Sequence, residues 1–196
     1  VTDMQSAAPD EQLALRWLRW WHADFWLQAD ESWRTQPLAR LSAPLQRHYL
    51  RQHAACWQRT LGVPGELVEP EPMVLAIGDL SCEQRAQLLV LVAEICAGGM
   101  PLPAELKIWL RRVAKGMRTE CWLPAGLFTA GGSADSLCLL QALFPAIWPR
   151  LRLLFPASDA PLKPALSLPL HRLRPLWEAA LWQVQQHSEA TRDVET

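Results

Sequence analysis

The segment LRWLRWWHADFW, residues 15–26, places Trp17, Trp20, Trp21, Phe25 and Trp26 within twelve positions. Side chains of this size constrain a fold strongly. Burying each is worth about 1.5–3 kcal/mol, and leaving several in water invites aggregation. Leu13, Trp17, Trp20, Trp21 and Phe25 follow the three- and four-residue steps of one helical face. Leu18 and Trp26 widen that face, and Arg16, Arg19 and Asp24 occupy the remainder. The pattern predicts a helix capped by Asp10 and running to about Ala29, with an apolar side too broad for one stripe. Most of these rings belong in a core. Trp20 and Trp26 project widest and are candidates for a partner interface, because tryptophan is a favoured binding anchor.

The rest of the chain also reads as helices divided by proline and glycine. PLQRHYLRQHAACWQRTLG predicts a second helix, with Pro44 in its first turn and Gly62 just past its end. GVPGELVEPEP, residues 62–72, is the expected boundary between an N-terminal lobe over 1–61 and a main lobe over 73–187. MVLAIGDL is too short to assign. Ser81 and Gln84 then have capping-box spacing before a helix over about 82–97 that is apolar nearly all round, ended by Gly98 and Gly99. Pro101 and Pro103 open another, with Leu106, Trp109, Leu110 and Val113 as its core stripe and Gly116 as its end. Ser133 is the expected cap of a helix over Asp135–Leu143, and WPRLRLLFP, residues 148–156, alternates like a short strand. Four prolines in 156–169 predict a loop. The last helix spans about 170–187, with Leu170, Leu173, Trp177, Leu181 and Val184 on one face. Residues 1–9 and 188–196 are expected to be a frayed start and a disordered tail. The expected fold is an irregular all-α globule of one or two lobes, with at most one short strand-like element.

Half of the 196 residues are apolar and a fifth charged, which suits a globular chain, and a net charge of −1 gives no general attraction for nucleic acid or an anionic membrane. No secretory signal is read at the start, and the run LLVLVA is far short of the ~20 residues of a membrane span, so a soluble, cytoplasmic protein is expected. Cys56, Cys82, Cys96, Cys121 and Cys138 are odd in number and set among apolar neighbours, and they read as reduced core thiols. His48, His53 and Cys56 lack the spacing of a closed zinc site, and the reading is surface histidines beside a buried thiol, with no metal or other cofactor. TAGGSADS lacks the lysine of a phosphate-binding loop, and GGSAD lacks the closing glycine of a nucleophile elbow. Asp30 with Glu31, and Glu66, Glu69 and Glu71, lie in solvated connectors, not in a desolvated cleft suited to acid–base work.

One charged constellation stands out. Lys107, Arg111 and Lys115 recur every four residues, with Arg112 flanking and Arg118 just beyond. This face would dock an acidic or phosphorylated partner surface, or it is an ordinary solvated face whose arginines shield the core edge.

Residues 139–184 contain a helix, a proline–tryptophan element, a short Arg/Leu run ending in Phe-Pro, a proline-rich loop and a terminal helix. With Pro145, Trp148, Arg150, Leu151, Leu153, Phe155 and Pro156 as matching positions, this stretch resembles the C-terminal part of the accessory sorting-platform proteins of bacterial type III secretion systems, often called the K component. The resemblance covers about a quarter of the chain. It implies a helical, cofactor-free, non-enzymatic adaptor at the inner face of the bacterial inner membrane. Its implied partners are the cytoplasmic domain of an inner-membrane ring protein and the cytosolic pod protein. The competing readings are a helical enzyme or small-molecule binder with a pocket between the lobes, and a secretion chaperone.

Overall fold

In the computed structural model, which describes residues 9–34, 37–129, 133–160 and 165–194, helix α1 (Pro9–Arg19) runs into a π-helical turn, Trp20–Asp24, and a last α-helical stretch, α2 (Phe25–Leu27). The Phe25 N–H reaches back five residues to the Trp20 carbonyl. In an α-helix, residues five apart lie about 140° apart around the axis, whereas a turn closed from i to i+5 brings them toward one side. Trp20 with Phe25, and Trp21 with Trp26, are such pairs. All four are buried, Trp20 to 2% and Trp26 to 3% exposure. The expectation that these two tryptophans project outward is therefore corrected: the π turn rotates them into the core.

Two compact units are formed. The first comprises residues up to Asp79 together with Pro149–Ala157, and the second Leu80–Trp148 with the segment from Ser158. The division falls after Asp79 and not within 62–72. The reason lies in the residues around that loop: the Trp17 indole donates to the Val68 carbonyl at 2.8 Å, and Arg16 pairs with Asp79. Gly78, in helix α5 (Pro72–Asp79), lies so close to the Trp-rich helix that a Cβ there would come within 2.6 Å of Gln28 Oε1. That oxygen accepts the Trp20 indole N–H at 2.9 Å.

In the first unit, Trp17 stacks on Trp20 at 5.2 Å, Trp20 meets Phe25 edge-on, and Phe25 packs against Trp57 at 5.2 Å. The second helix is broken at His53 into α3 (Ala43–Gln52) and α4 (Ala54–Leu61). Trp57 Nε1 donates to the Leu50 carbonyl at 2.6 Å, capturing the acceptor that an unbroken helix would give to Ala54.

Residues 149–157 return to complete this unit. The expected strand at 148–156 is instead α9 (Trp148–Leu151) followed by a 3-10 turn, Arg152–Leu154. Its alternation was of Leu with Arg, but Arg150 is as buried as the leucines, at 1% exposure. Nothing in this segment needs a solvent-facing strand edge. The Arg150 guanidinium lies 3.8 Å from the centre of the Trp21 ring and its Nε donates to the Trp21 carbonyl at 3.0 Å. Backbone and side-chain bonds fasten the rest: Asp30 N–H to the Leu153 carbonyl, the Trp33 indole to the Phe155 carbonyl, and Arg152 to the Leu61 carbonyl.

The second unit is built on α6 (Cys82–Cys96), α7 (Ala104–Met117), α8 (Asp135–Leu143) and α10 (Leu170–Val194). The capping box at Ser81 and Gln84 is present in both directions. Leu88, Leu91 and Val92 of α6 and Leu173, Leu176, Trp177 and Ala180 of α10 are fully buried. Ser136, buried on α8, donates to the Leu89 carbonyl at 2.8 Å, and Glu94 accepts the Met100 N–H at 2.7 Å. The cap expected of the Ser133 side chain is not made; its backbone carbonyl instead accepts the Ser136 N–H. Helix α10 continues to Val194, seven residues past its expected end, so the tail from Ser188 is helical over those residues. Positions 1–8 and 161–164 lie outside the described residues, as do two glycines of TAGGSADS. The short strand β1 (Ala125–Phe128) is an element that the sequence did not announce. The fold is all-α in class.

Burial pushes the Arg150 pKa down to about 10, which leaves it charged at neutral pH, so the cost of burying that charge offsets part of what its contact with the Trp21 ring contributes. Arg150→Ala is expected to lower stability by about 3 kcal/mol in urea unfolding, and Arg150→Met to stay within about 1 kcal/mol of the parent. His22, exposed on the π turn, is held below its ordinary value by partial desolvation, then by Arg150 and Arg51. The unfolded chain therefore binds this proton more readily, and the neutral imidazole's stabilising share is lost as pH falls below about 6.5. The melting temperature should drop less in His22→Asn than in the parent between about pH 7 and pH 5.

Candidate functional site

Helix α7 follows Pro103 at its N-cap and presents two unlike faces. Leu106 and Leu110 are buried, and Trp109 and Val113 half-buried, so the expected core stripe is the inward side. Arg111, Arg112 and Lys115 are exposed, while Lys107 is half-buried at the edge. None of these four is in an ion pair among the described residues. In the middle of the cations stands Ile108, 51% exposed, which shares a helical face with Arg111, Arg112 and Lys115 by its spacing. A single exposed isoleucine is ordinary on a solvated face, but ringed by cations it also suits a docking face, where one apolar contact supplies affinity while the cations fix orientation.

Arg118 has a structural task as well as a charge. It is the C-cap of α7 in the left-handed region, φ 48°, with its N–H on the Ala114 carbonyl. Gly116, the expected terminator, lies inside the last turn instead. The following Thr119 is buried, and its hydroxyl donates to the Cys96 carbonyl at 3.3 Å, which fixes where α7 ends against α6.

Beside α7 the rings of Trp109 and Trp182 lie 6.1 Å apart, and Trp182 is 53% exposed. Sequence reasoning missed both Ile108 and Trp182. The available signal was that each is a large apolar residue off its helix's core stripe. Trp20 and Trp26, placed with the basic residues as candidate anchors, belong to the core of the first unit and take no part in this face.

The thiols separate by environment. Cys56, Cys82 and Cys121 are exposed, which corrects their assignment to the core, and none of the five cysteines is joined in a disulfide. Cys96 and Cys138 are half-buried, and burial pushes the Cys96 pKa up to about 12. His53 stacks on Tyr49 with ring centres 4.4 Å apart, and no group of three His, Cys, Asp or Glu among the described residues could hold a metal ion. No helix among them is long and apolar enough to cross a membrane. The chain matches no protein-family model, no curated protein and no solved structure.

Arg118→Gly relieves the left-handed strain of a side chain at this cap, so it should raise stability by up to about 1 kcal/mol, read as a higher urea midpoint with unchanged slope.

Proposed function

We propose that this chain is a non-enzymatic adaptor that holds a partner protein against the basic face of α7. The exposed Ile108 set among Arg111, Arg112 and Lys115 carries this reading. A cationic rim around an apolar centre suits an acidic or phosphorylated protein surface. The likeness of residues 139–184 to the accessory sorting-platform proteins supplies the setting. In it, the chain bridges the cytoplasmic domain of the inner-membrane ring protein and the cytosolic pod protein of a type III secretion system, on the cytoplasmic side of the inner membrane.

The test is pairwise binding of the purified full chain to the ring protein's cytoplasmic domain and to the pod protein. The substitutions Arg111→Glu and Lys115→Glu are at exposed positions and should leave the melting temperature unchanged. Together they should weaken ring-domain binding by about ten-fold or more, with pod binding retained and the parent affinity falling as salt is raised. Undiminished binding by the doubly substituted chain removes α7 as the docking face. No binding by the parent chain to either protein removes the secretion setting.

A further inference from the structure

The eleven tryptophans are not treated alike. Trp33, Trp109 and Trp122 are half-buried, Trp182 is exposed, and the rest are buried. The place of Trp182 on α10 accounts for its exposure. Leu173, Leu176, Trp177, Ala180 and Val184 form the buried stripe, and at 100° per residue Trp182 falls on the opposite side. Its hydrogen bonding sets it apart as well. Trp17, Trp20, Trp33, Trp57 and Trp122 each donate the indole N–H to an acceptor within the chain, whereas neither Trp109 nor Trp182 donates to any described residue. Two indoles thus lie side by side, 6.1 Å apart, with their donors turned to what lies outside the chain.

This pair borders the cationic face of α7. Arg112 follows Ile108 by four residues and Trp109 by three, so around the helix axis it stands between them. Trp182 packs on Trp109, at that same edge. A Cβ at Gly116, two turns beyond Trp109 on the same side, would meet no other side chain within 4 Å, so the border is unobstructed. The charges along it are polarised. Glu105 is exposed one turn before Trp109 and Glu178 one turn before Trp182, whereas Arg111, Arg112, Lys115 and Arg118 occupy the second half of α7 and its cap. A partner's carboxylates are therefore drawn to that second half and kept from the two glutamates, which leaves the indoles to an uncharged side chain.

We propose that the acidic partner segment docked on α7 carries one large apolar side chain that packs on the Trp109–Trp182 pair, with Arg112 at the junction of the charged and apolar contacts. The inference rests on the adaptor reading and adds to it an anchor from a second helix, α10. Exposed indoles suit this task, since tryptophan offers a broad rigid surface together with one N–H donor and is enriched where binding energy concentrates. The division of labour is specific: the cations supply the salt-sensitive attraction, and the indoles an apolar contact that salt does not screen.

The test is binding of the purified full chain to the ring protein's cytoplasmic domain across a series of salt concentrations. Trp182→Ala should weaken binding by about ten-fold or more while the salt dependence stays that of the parent, and Trp182→Phe should recover most of the loss. Arg112→Ala should weaken binding and flatten the salt dependence. Leu15→Ala, at a comparably exposed apolar position of the first unit, should bind as the parent does. Trp182 is mostly in solvent, so the circular dichroism of its variants should match the parent. Full affinity in Trp182→Ala, with binding lost on Arg111→Glu and Lys115→Glu, overturns this inference and leaves the adaptor reading standing. A parent chain that does not bind the ring domain overturns both. Concentration-dependent self-association of the parent that Trp182→Ala removes would assign the indoles to a second copy of the chain and overturn the proposal equally.

Discussion

The first unit depends on a helix that changes its pitch. A regular α-helix over residues 9–27 would scatter Trp17, Trp20, Trp21, Phe25 and Trp26 over more than half its circumference, and no single neighbour could cover them. The π turn gathers the rings. Arg150 then closes the arrangement from a distant part of the chain, laying its guanidinium on Trp21 and bonding the carbonyl of the same residue. The loop around Val68, the Trp57 ring and helix α5 with its close glycine all pack on the surface thus created. A guanidinium is unusual so deep inside, yet its flat, weakly hydrated group suits an aromatic face better than an ammonium would.

Much of the second unit was legible because local rules and tertiary packing agree there. The serine–glutamine box set the start of α6, paired glycines its end, and Leu106 with Leu110 the inner side of α7. The first unit was harder because its decisive choices are non-local. Nothing in WWHAD announces a five-residue turn, and nothing in PRLRLL says that one arginine is to be buried and the other half-covered. The strand reading of 148–156 failed for that reason: alternation indicates a strand only if the polar partners face water, and Arg150 does not. The break at His53 was hidden likewise, since it follows from where the Trp57 indole finds an acceptor.

Of the candidate site, the cations of α7 were legible from their spacing alone, while the isoleucine among them became meaningful only once its exposure was known. The positions from which the secretion setting is proposed are of the opposite kind. Arg150, Leu151, Leu153 and Phe155 are all buried, so they bear on how the chain folds back on itself and not on what its exterior touches. Fold-level and surface-level arguments thus draw on different residues, and each stands without the other.

The discontinuity of the first unit has a consequence for synthesis. Its amino-terminal portion is complete at Asp79, but the segment that covers Trp21 lies about seventy to eighty residues further along. At usual elongation speeds that distance corresponds to roughly 4–16 s. During this interval a nascent chain bearing an unusual density of indoles lacks its natural cover. Such an intermediate is a ready client for ribosome-associated chaperones, and shortening the protein before Ala157 would make the exposure permanent.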